Sequence, residues 1–180
     1  MATVAACDEL QRRSATDTFM GMSTLGITTY LWFDTEALDA ANFYVGLFPG
    51  SALGAISYYQ ADAQMPAGSV LTVEFELFGQ SFAALNGGPQ FRHSEAVSFQ
   101  VSCKTQDDVD RIWNALVSNG GSESMCGWCK DRWGISWQVI PTALTRALQG
   151  LDGYDSAYAF RAMMKMSKIV VADLAPAERL

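Results

Sequence analysis

The feature that most constrains this chain is an internal repeat. Shifting the sequence on itself by 70 residues sets Thr105 on Thr35, Trp113 on Phe43, Val117 on Leu47 and Gly120 on Gly50. Each half opens with a strand and a helix. Ile27 to Phe33 is rich in β-branched and aromatic residues and predicts a strand. Asp34 or Thr35 is placed to cap a helix in which Leu38, Ala41, Tyr44, Leu47 and Phe48 recur at helical spacing, before Pro49-Gly50 stops it. In the second half, Val97 to Cys103 predicts a strand. Thr105, with Asp108 three residues on, resembles a capping box ahead of Val109, Ile112, Trp113, Leu116 and Val117.

The rest of each half reads as further strands. Ile56 to Tyr59 is short and apolar. Leu71, Val73, Phe75 and Leu77 then alternate with Thr72, Glu74 and Glu76, the period of two of a strand with one dry and one polar face. Phe78-Gly79-Gln80 predicts a tight turn and Ser81 to Asn86 the returning strand, broken by Gly87-Gly88-Pro89. In the second half, Glu123 to Trp128 leads through a turn at Asp131 to Gly134 into the strand Ile135 to Ile140. A helix follows from Pro141 to Gln149, and an amphipathic one is expected over Asp155 to Lys168, its Met163 and Met166 serving as packing. Two such β-α-β-β units, joined in one curved sheet, enclose a cavity that the polar stripe of the hairpin faces.

With 180 residues, 49% of them hydrophobic, the chain builds one core or two small modules that share one. Its formal net charge of -7 excludes a nucleic-acid partner, whose phosphates attract clustered Lys and Arg. No run approaches the ~18 apolar residues of a membrane span, so no membrane partner is expected. Cys7, Asp8, Glu9, Arg12, Arg13 and Asp17 interrupt the start of the chain where a secretory signal would be apolar, which predicts a cytoplasmic protein. Residues 1–24 are read as a poorly ordered extension. The four cysteines fit reduced thiols. Cys126-Gly127-Trp128-Cys129 matches the C-x-x-C pattern, but a turn and a strand follow it, so no helix N-terminus is there to stabilise a thiolate.

The runs ITTYLWFDTEALDAANFYVGLFPGS, TVEFELFGQSFAALNGGPQF, EAVSFQV and CGWCKDRWGISWQVIPTAL resemble the PhnB-like group of the vicinal oxygen chelate superfamily. With the spacers, the resemblance covers about residues 25 to 168. It implies an α+β fold: paired βαβββ modules forming one curved mixed sheet around a cavity, helices on the outer face. On that reading residues 25–180 are a single glyoxalase-like domain, with module one over 25–94, module two over 95–141 and C-terminal helices over 142–180. The resemblance also implies a homodimer and a small-molecule ligand. Metal-dependent members hold a divalent ion with His and Glu side chains. Their positions carry over to Ile27, Glu74, Ser98 and Gln138, of which only Glu74 is a strong ligand. No metal and no other cofactor is therefore expected. A Rossmann-type adenosyl site is not expected either, because Asn86-Gly87-Gly88-Pro89 leads into a loop.

What remains is a cavity with a few polar groups. Strand alternation puts Thr72, Glu74 and Glu76 on one face, Ser98 and Gln100 on another, and Ser136 and Gln138 on a third, with Asn86, Cys126 and Trp128 at the rim. Glu74 is the candidate catalytic group, a base for removing a proton next to a carbonyl. Alternatively it is hydrogen-bonded to Thr72, Ser98 or Gln138 and orders the pocket. Two functions stay open: a metal-independent lyase or isomerase acting on a small organic acid or aromatic metabolite, and a non-catalytic protein that binds or sequesters an apolar or aromatic compound. His93, the one histidine, falls in a loop and is read as solvated.

Overall fold

The structure is a computed structural model that describes residues 26–63 and 65–176; the predicted extension over residues 1–24 lies outside them. Module one contains β1 (Thr29–Phe33), α1 (Ala37–Leu47), β2 (Ala52–Tyr58), β3 (Val70–Leu77) and β4 (Gln80–Asn86). Module two repeats the series with β5 (Ser98–Cys103), α2 (Gln106–Val117), β6 (Ser122–Glu123), β7 (Trp128–Lys130) and β8 (Ser136–Pro141). Helices α3 (Thr142–Leu148) and α4 (Ser156–Met163) follow, with 3-10 turns at Leu151–Gly153 and Val171–Leu174.

Each module makes a four-stranded sheet of one topology. Sheet A runs β1-β4-β3-β2 and sheet B runs β5-β8-β7-β6. In each, the first and last strands of the module pair in parallel and the remaining neighbours are antiparallel. The β3–β4 hairpin turns at Phe78 and Gly79, both at positive φ (52° and 81°), which matches the twist of the flanking strands. Thr105 caps the second helix as the spacing predicts, the Asp108 amide donating to Thr105 Oγ1 at 3.1 Å, while the Asp108 carboxylate accepts from the Thr105 hydroxyl at 3.0 Å in place of the backbone amide of a full capping box. The first helix is capped differently. Neither Asp34 nor Thr35 supplies the acceptor; the Ala37 amide donates to Asn86 Oδ1 at 2.8 Å, a group 49 residues away.

The α+β class and the paired βαβββ modules are those the resemblance implies. The eight strands form two hydrogen-bonded sheets, and the modules meet through their helix-bearing faces. One hydrophobic cluster takes in Leu31, Phe33, Val73, Phe75 and Phe82 of sheet A, Val101, Trp137 and Val139 of sheet B, and the buried sides of α1 and α2. Tyr44 of α1, fully buried, stacks on Phe75 and lies 5.4 Å from the Trp137 ring; Phe82 meets Phe99 at 5.4 Å. Burying these large rings against one another removes more apolar surface from water than burying the polar alternate positions would. The polar alternate positions therefore lie outside the shared core, and at its edge a cavity between the modules is lined by Leu77, Gln80 and Phe82 of sheet A and by Ser98, Phe99 and Gln100 of sheet B.

Candidate functional site

The open face of sheet A holds Glu74. In the strand register, Tyr30 of β1 lies beside Ala83 of β4, and Ala83 beside Glu74 of β3; Glu76 lies beside Ser81. These residues alternate with Leu31, Phe75 and Phe82 of the core, so they share the face opposite α1. With Thr28, Leu53 and Gly54 they line a depression of about 310 Å³. A Cβ at Gly54 would stand 3.1 Å from the Glu74 Cβ, so glycine at this place leaves the flank of the carboxylate open. Glu74 and Glu76 are both exposed, and among the described residues neither makes a side-chain hydrogen bond or an ion pair. Thr72 does not bond Glu74; its hydroxyl pairs with that of Ser57 at 2.5 Å.

The other expected site residues lie on sheet B, except Asn86 on β4 and Cys126 in the turn before β7. Asn86, expected at the rim, is 4% exposed and works as a scaffold: besides capping α1 it donates from Nδ2 to the Val70 carbonyl at 3.0 Å. On sheet B, Gln100, Gln138 and Trp128 stand in one cross-strand row, and Ser98, Ser136 and Lys130 in the next. Gln138 Nε2 donates to Ser98 Oγ at 2.9 Å, while Ser136 Oγ is buried without a partner. Gln100, Gln138, Trp128 and Cys126 line a second cavity of about 460 Å³, which shares no residue with the first. The two expected carboxylates thus stand on sheet A, with Thr72 and Asn86, and the expected residues of module two are uncharged.

This division decides the fit of a divalent ion at the superfamily positions. Ile27 has no donor atom and is 97% exposed, Glu74 is on sheet A, and Ser98 and Gln138 are bonded to each other on sheet B. One carboxylate and two mutually bonded neutral oxygen and nitrogen groups on separate faces do not make the three convergent ligands a catalytic ion needs. His93 does not join them; it is half-buried, packs edge-on to Phe33 at 5.6 Å and lines neither cavity.

The C-x-x-C segment forms a turn, with Cys126 at φ 60°, and then β7. Cys126 is half-buried with its Sγ 3.7 Å from Met164 Sδ. Cys129 points to the core face, and burial, reinforced by the charges of Asp131 and Glu123, pushes its thiol up to about 12. A thiol held protonated in this way is a poor partner in disulfide exchange.

The residue that sequence reasoning passed over is Asp131. It is 2% exposed and accepts from Tyr44 Oη at 2.7 Å, Trp137 Nε1 at 2.8 Å, and the amides of Trp133 and Ile135 at 3.0 and 3.1 Å. The first bond joins α1 of module one to the β7–β8 loop of module two. Burial, then the Asp131 charge, holds the Tyr44 hydroxyl well above its ordinary value. The available signal was an acidic residue at the head of a tight turn between buried aromatic positions, where an Asp side chain bonds amides further along its own loop.

Comparison with known proteins agrees with this architecture. A family model described as 3-demethylubiquinone-9 3-methyltransferase matches residues 25–140. A putative 3-demethylubiquinone-9 3-methyltransferase, a PhnB protein from Bacillus cereus, is 31% identical, with 64% of this chain and 98% of that chain covered and a TM-score of 0.59. A protein from Pseudomonas aeruginosa is 22% identical over 66% of this chain and 98% of that chain, with a TM-score of 0.53. A glyoxalase/bleomycin resistance protein from Albidiferax ferrireducens is 11% identical over 63% and 95%, with a TM-score of 0.40. No curated protein matches the chain significantly. With its βαβββ modules and this match to well over half its length, the chain belongs to the PhnB-like family described as 3-demethylubiquinone-9 3-methyltransferase.

Proposed function

We propose that this protein binds a small aromatic molecule bearing an ammonium or comparable hydrogen-bond donor on the open face of sheet A. The observation that carries the reading is the pair of unpartnered carboxylates, Glu74 and Glu76, in a depression that also exposes the Tyr30 ring. Two carboxylates on one face of one strand, two residues and so about 7 Å apart, favour a donor or a cation and repel an organic acid. An aromatic ring beside them adds a surface on which a flat cation stacks. Proton abstraction by Glu74 needs, in addition, a group that stabilises the charge developing on the substrate. The lining offers only the hydroxyls of Thr28, Tyr30 and Ser81 for this, beside a second carboxylate, so binding is the reading we take over catalysis. The family description names a methyltransferase, yet Gly87-Gly88 opens onto a loop, without the helix N-terminus that a Rossmann-type adenosyl site uses.

The homodimer belongs to the same proposal. Tyr30 and Leu53 are 62% and 39% exposed on this face, while α1 covers the opposite one, so a second copy of the chain is the cover we assign to it. Light scattering at micromolar concentration is expected to give twice the chain mass, and a monomer's mass removes that part of the proposal.

The binding reading is tested by calorimetry with a matched pair of probes, tryptamine and indole-3-acetate. Tryptamine is expected to bind at least about tenfold more tightly, to weaken with added salt, and to lose about tenfold in affinity on Glu74→Gln. Equal affinity for the acid, or no change in the variant, overturns the proposal.

A further inference from the structure

The matched family region ends at residue 140, the last residue but one of β8, and 64% of this chain covers 98% of the Bacillus protein. Helices α3 and α4 and the closing 3-10 turn lie beyond it. They form a small core of their own, in which Leu144, Ala147, Ala159, Ile169 and Leu174 are buried and Ile140 of β8 packs against them. The segment is fastened to module two at several points. The Cys126 and Gly127 amides donate to the carbonyls of Met166 and Ser167 at 2.8 and 2.7 Å. Gln106 of α2 donates to the Ile169 carbonyl at 3.1 Å and accepts from the Val171 amide at 2.8 Å, and Lys168 pairs with Asp110 at 2.6 Å.

The consequence is a groove that the added helices wall on one side and that stays open to solvent on the other. Gln100, Gln138 and Trp128 of sheet B form its floor, and Leu144, Leu148 and Met163 of the added helices its wall. No charged side chain lines it. Gln138 spends only its Nε2 on Ser98, and the Gln100 amide has no partner among the described residues, so the floor keeps both acceptors and donors available.

We infer that the C-terminal helices add a wall to the polar face of module two and so make a second binding groove, separate from sheet A, for an uncharged planar aromatic molecule carrying hydroxyl or carbonyl groups. A flat ring fills the space between Trp128 and the aliphatic wall, and the free amide groups meet its polar substituents. A charged ligand gives up part of its hydration against the apolar wall and finds no opposite charge among the lining residues in return. The site does not depend on Glu74, and its wall is set by the part of the chain that the family match does not reach.

The probes are 2-naphthol and 2-naphthoate, with binding followed by the side-chain amide resonances of isotope-labelled full-length protein. 2-Naphthol is expected to shift the resonances of Gln100 and Gln138 and to bind at least about tenfold more tightly than the acid. Leu148→Trp, at an exposed wall position, fills the groove and is expected to weaken 2-naphthol at least about tenfold; Thr145→Trp, also exposed and lining the groove, does the same should the first variant fail to fold. Glu74→Gln leaves this affinity unchanged, which separates the outcome from that of the sheet A site. Equal affinity for the acid, shifts confined to other residues, a folded wall variant that binds like the wild type, or a loss on Glu74→Gln each overturns the inference.

Discussion

Asp131 receives four hydrogen bonds in a position that is 2% exposed, and two of its donors, Tyr44 Oη and Trp137 Nε1, are core groups of different modules. Asp131→Ala leaves both without an acceptor inside the core. At about 1–3 kcal/mol for each unsatisfied buried donor, a loss of about 3–5 kcal/mol is expected in urea unfolding, and a change below about 1 kcal/mol contradicts the assigned role. The same contact predicts a pH dependence. Because the folded-state value of Tyr44 is raised above 10, its contribution is fully present below pH 10 and is lost as pH rises towards the folded value, while the unfolded chain has already released its proton. Alkaline unfolding curves of Tyr44→Phe are expected to decline less steeply above pH 10 than those of the wild type. Burial also separates the cysteines, pushing the Cys103 thiol up to about 11 and that of Cys129 to about 12. Iodoacetamide at neutral pH is expected to label half-buried Cys126 before either, by peptide mass analysis; equal labelling of Cys129 contradicts its placement in the core. Strand β7 is only three residues long, too short for alternation to reveal from sequence that Cys129 faces inward.

At the scale of elements, periodicity found what local physics dictates and missed what distant contacts set. The hairpin of β3 and β4, the strand β5 and helix α2 carry strong two-fold or helical patterns, and they form where those patterns lie. The cap of α1 was not legible, because its acceptor Asn86 is brought there by the parallel pairing of β1 with β4. Strand β2 extends over Ala52–Tyr58, beyond the expected Ile56 to Tyr59, because pairing with β3 holds residues such as Gly54 that have little strand propensity. The last helix stops at Met163, short of the expected Lys168, since the carbonyls of Met166 and Ser167 turn away to bond the amides of Cys126 and Gly127. Gln106 is the clearest fastening of this C-terminal segment. Gln106→Ala removes both of its bonds to residues 169 and 171, and local opening there is expected to become easier by about 1–2 kcal/mol. Hydrogen exchange of the 169–174 amides, with α2 as the internal reference, checks this; unchanged protection contradicts it.

For the whole molecule, the repeat made two equivalent modules legible, but alternation tells only which residues share a face and says nothing of what that face meets. Here the large rings of both modules met one another, and the polar faces were left to separate surroundings: sheet B flanked by the chain's own C-terminal helices, sheet A without them. The candidate residues were accordingly found in sequence as one list and in space on two sheets, Glu74 and Glu76 in one depression and Gln100, Cys126, Trp128 and Gln138 in another. That separation is what makes Glu74 a test case, since its carboxylate has no partner among the described residues and stands in the depression that a ligand, and by our proposal a second copy, would close. The central claim, that the acidic face of sheet A is the ligand site, is tested most directly by mapping amide chemical shifts on titration with tryptamine. Shifts clustered at Thr28, Tyr30, Leu53, Gly54, Glu74, Glu76 and Ala83, and abolished by Glu74→Gln, are the predicted result. Shifts confined to sheet B or the C-terminal helices, or persisting unchanged in the variant, contradict it.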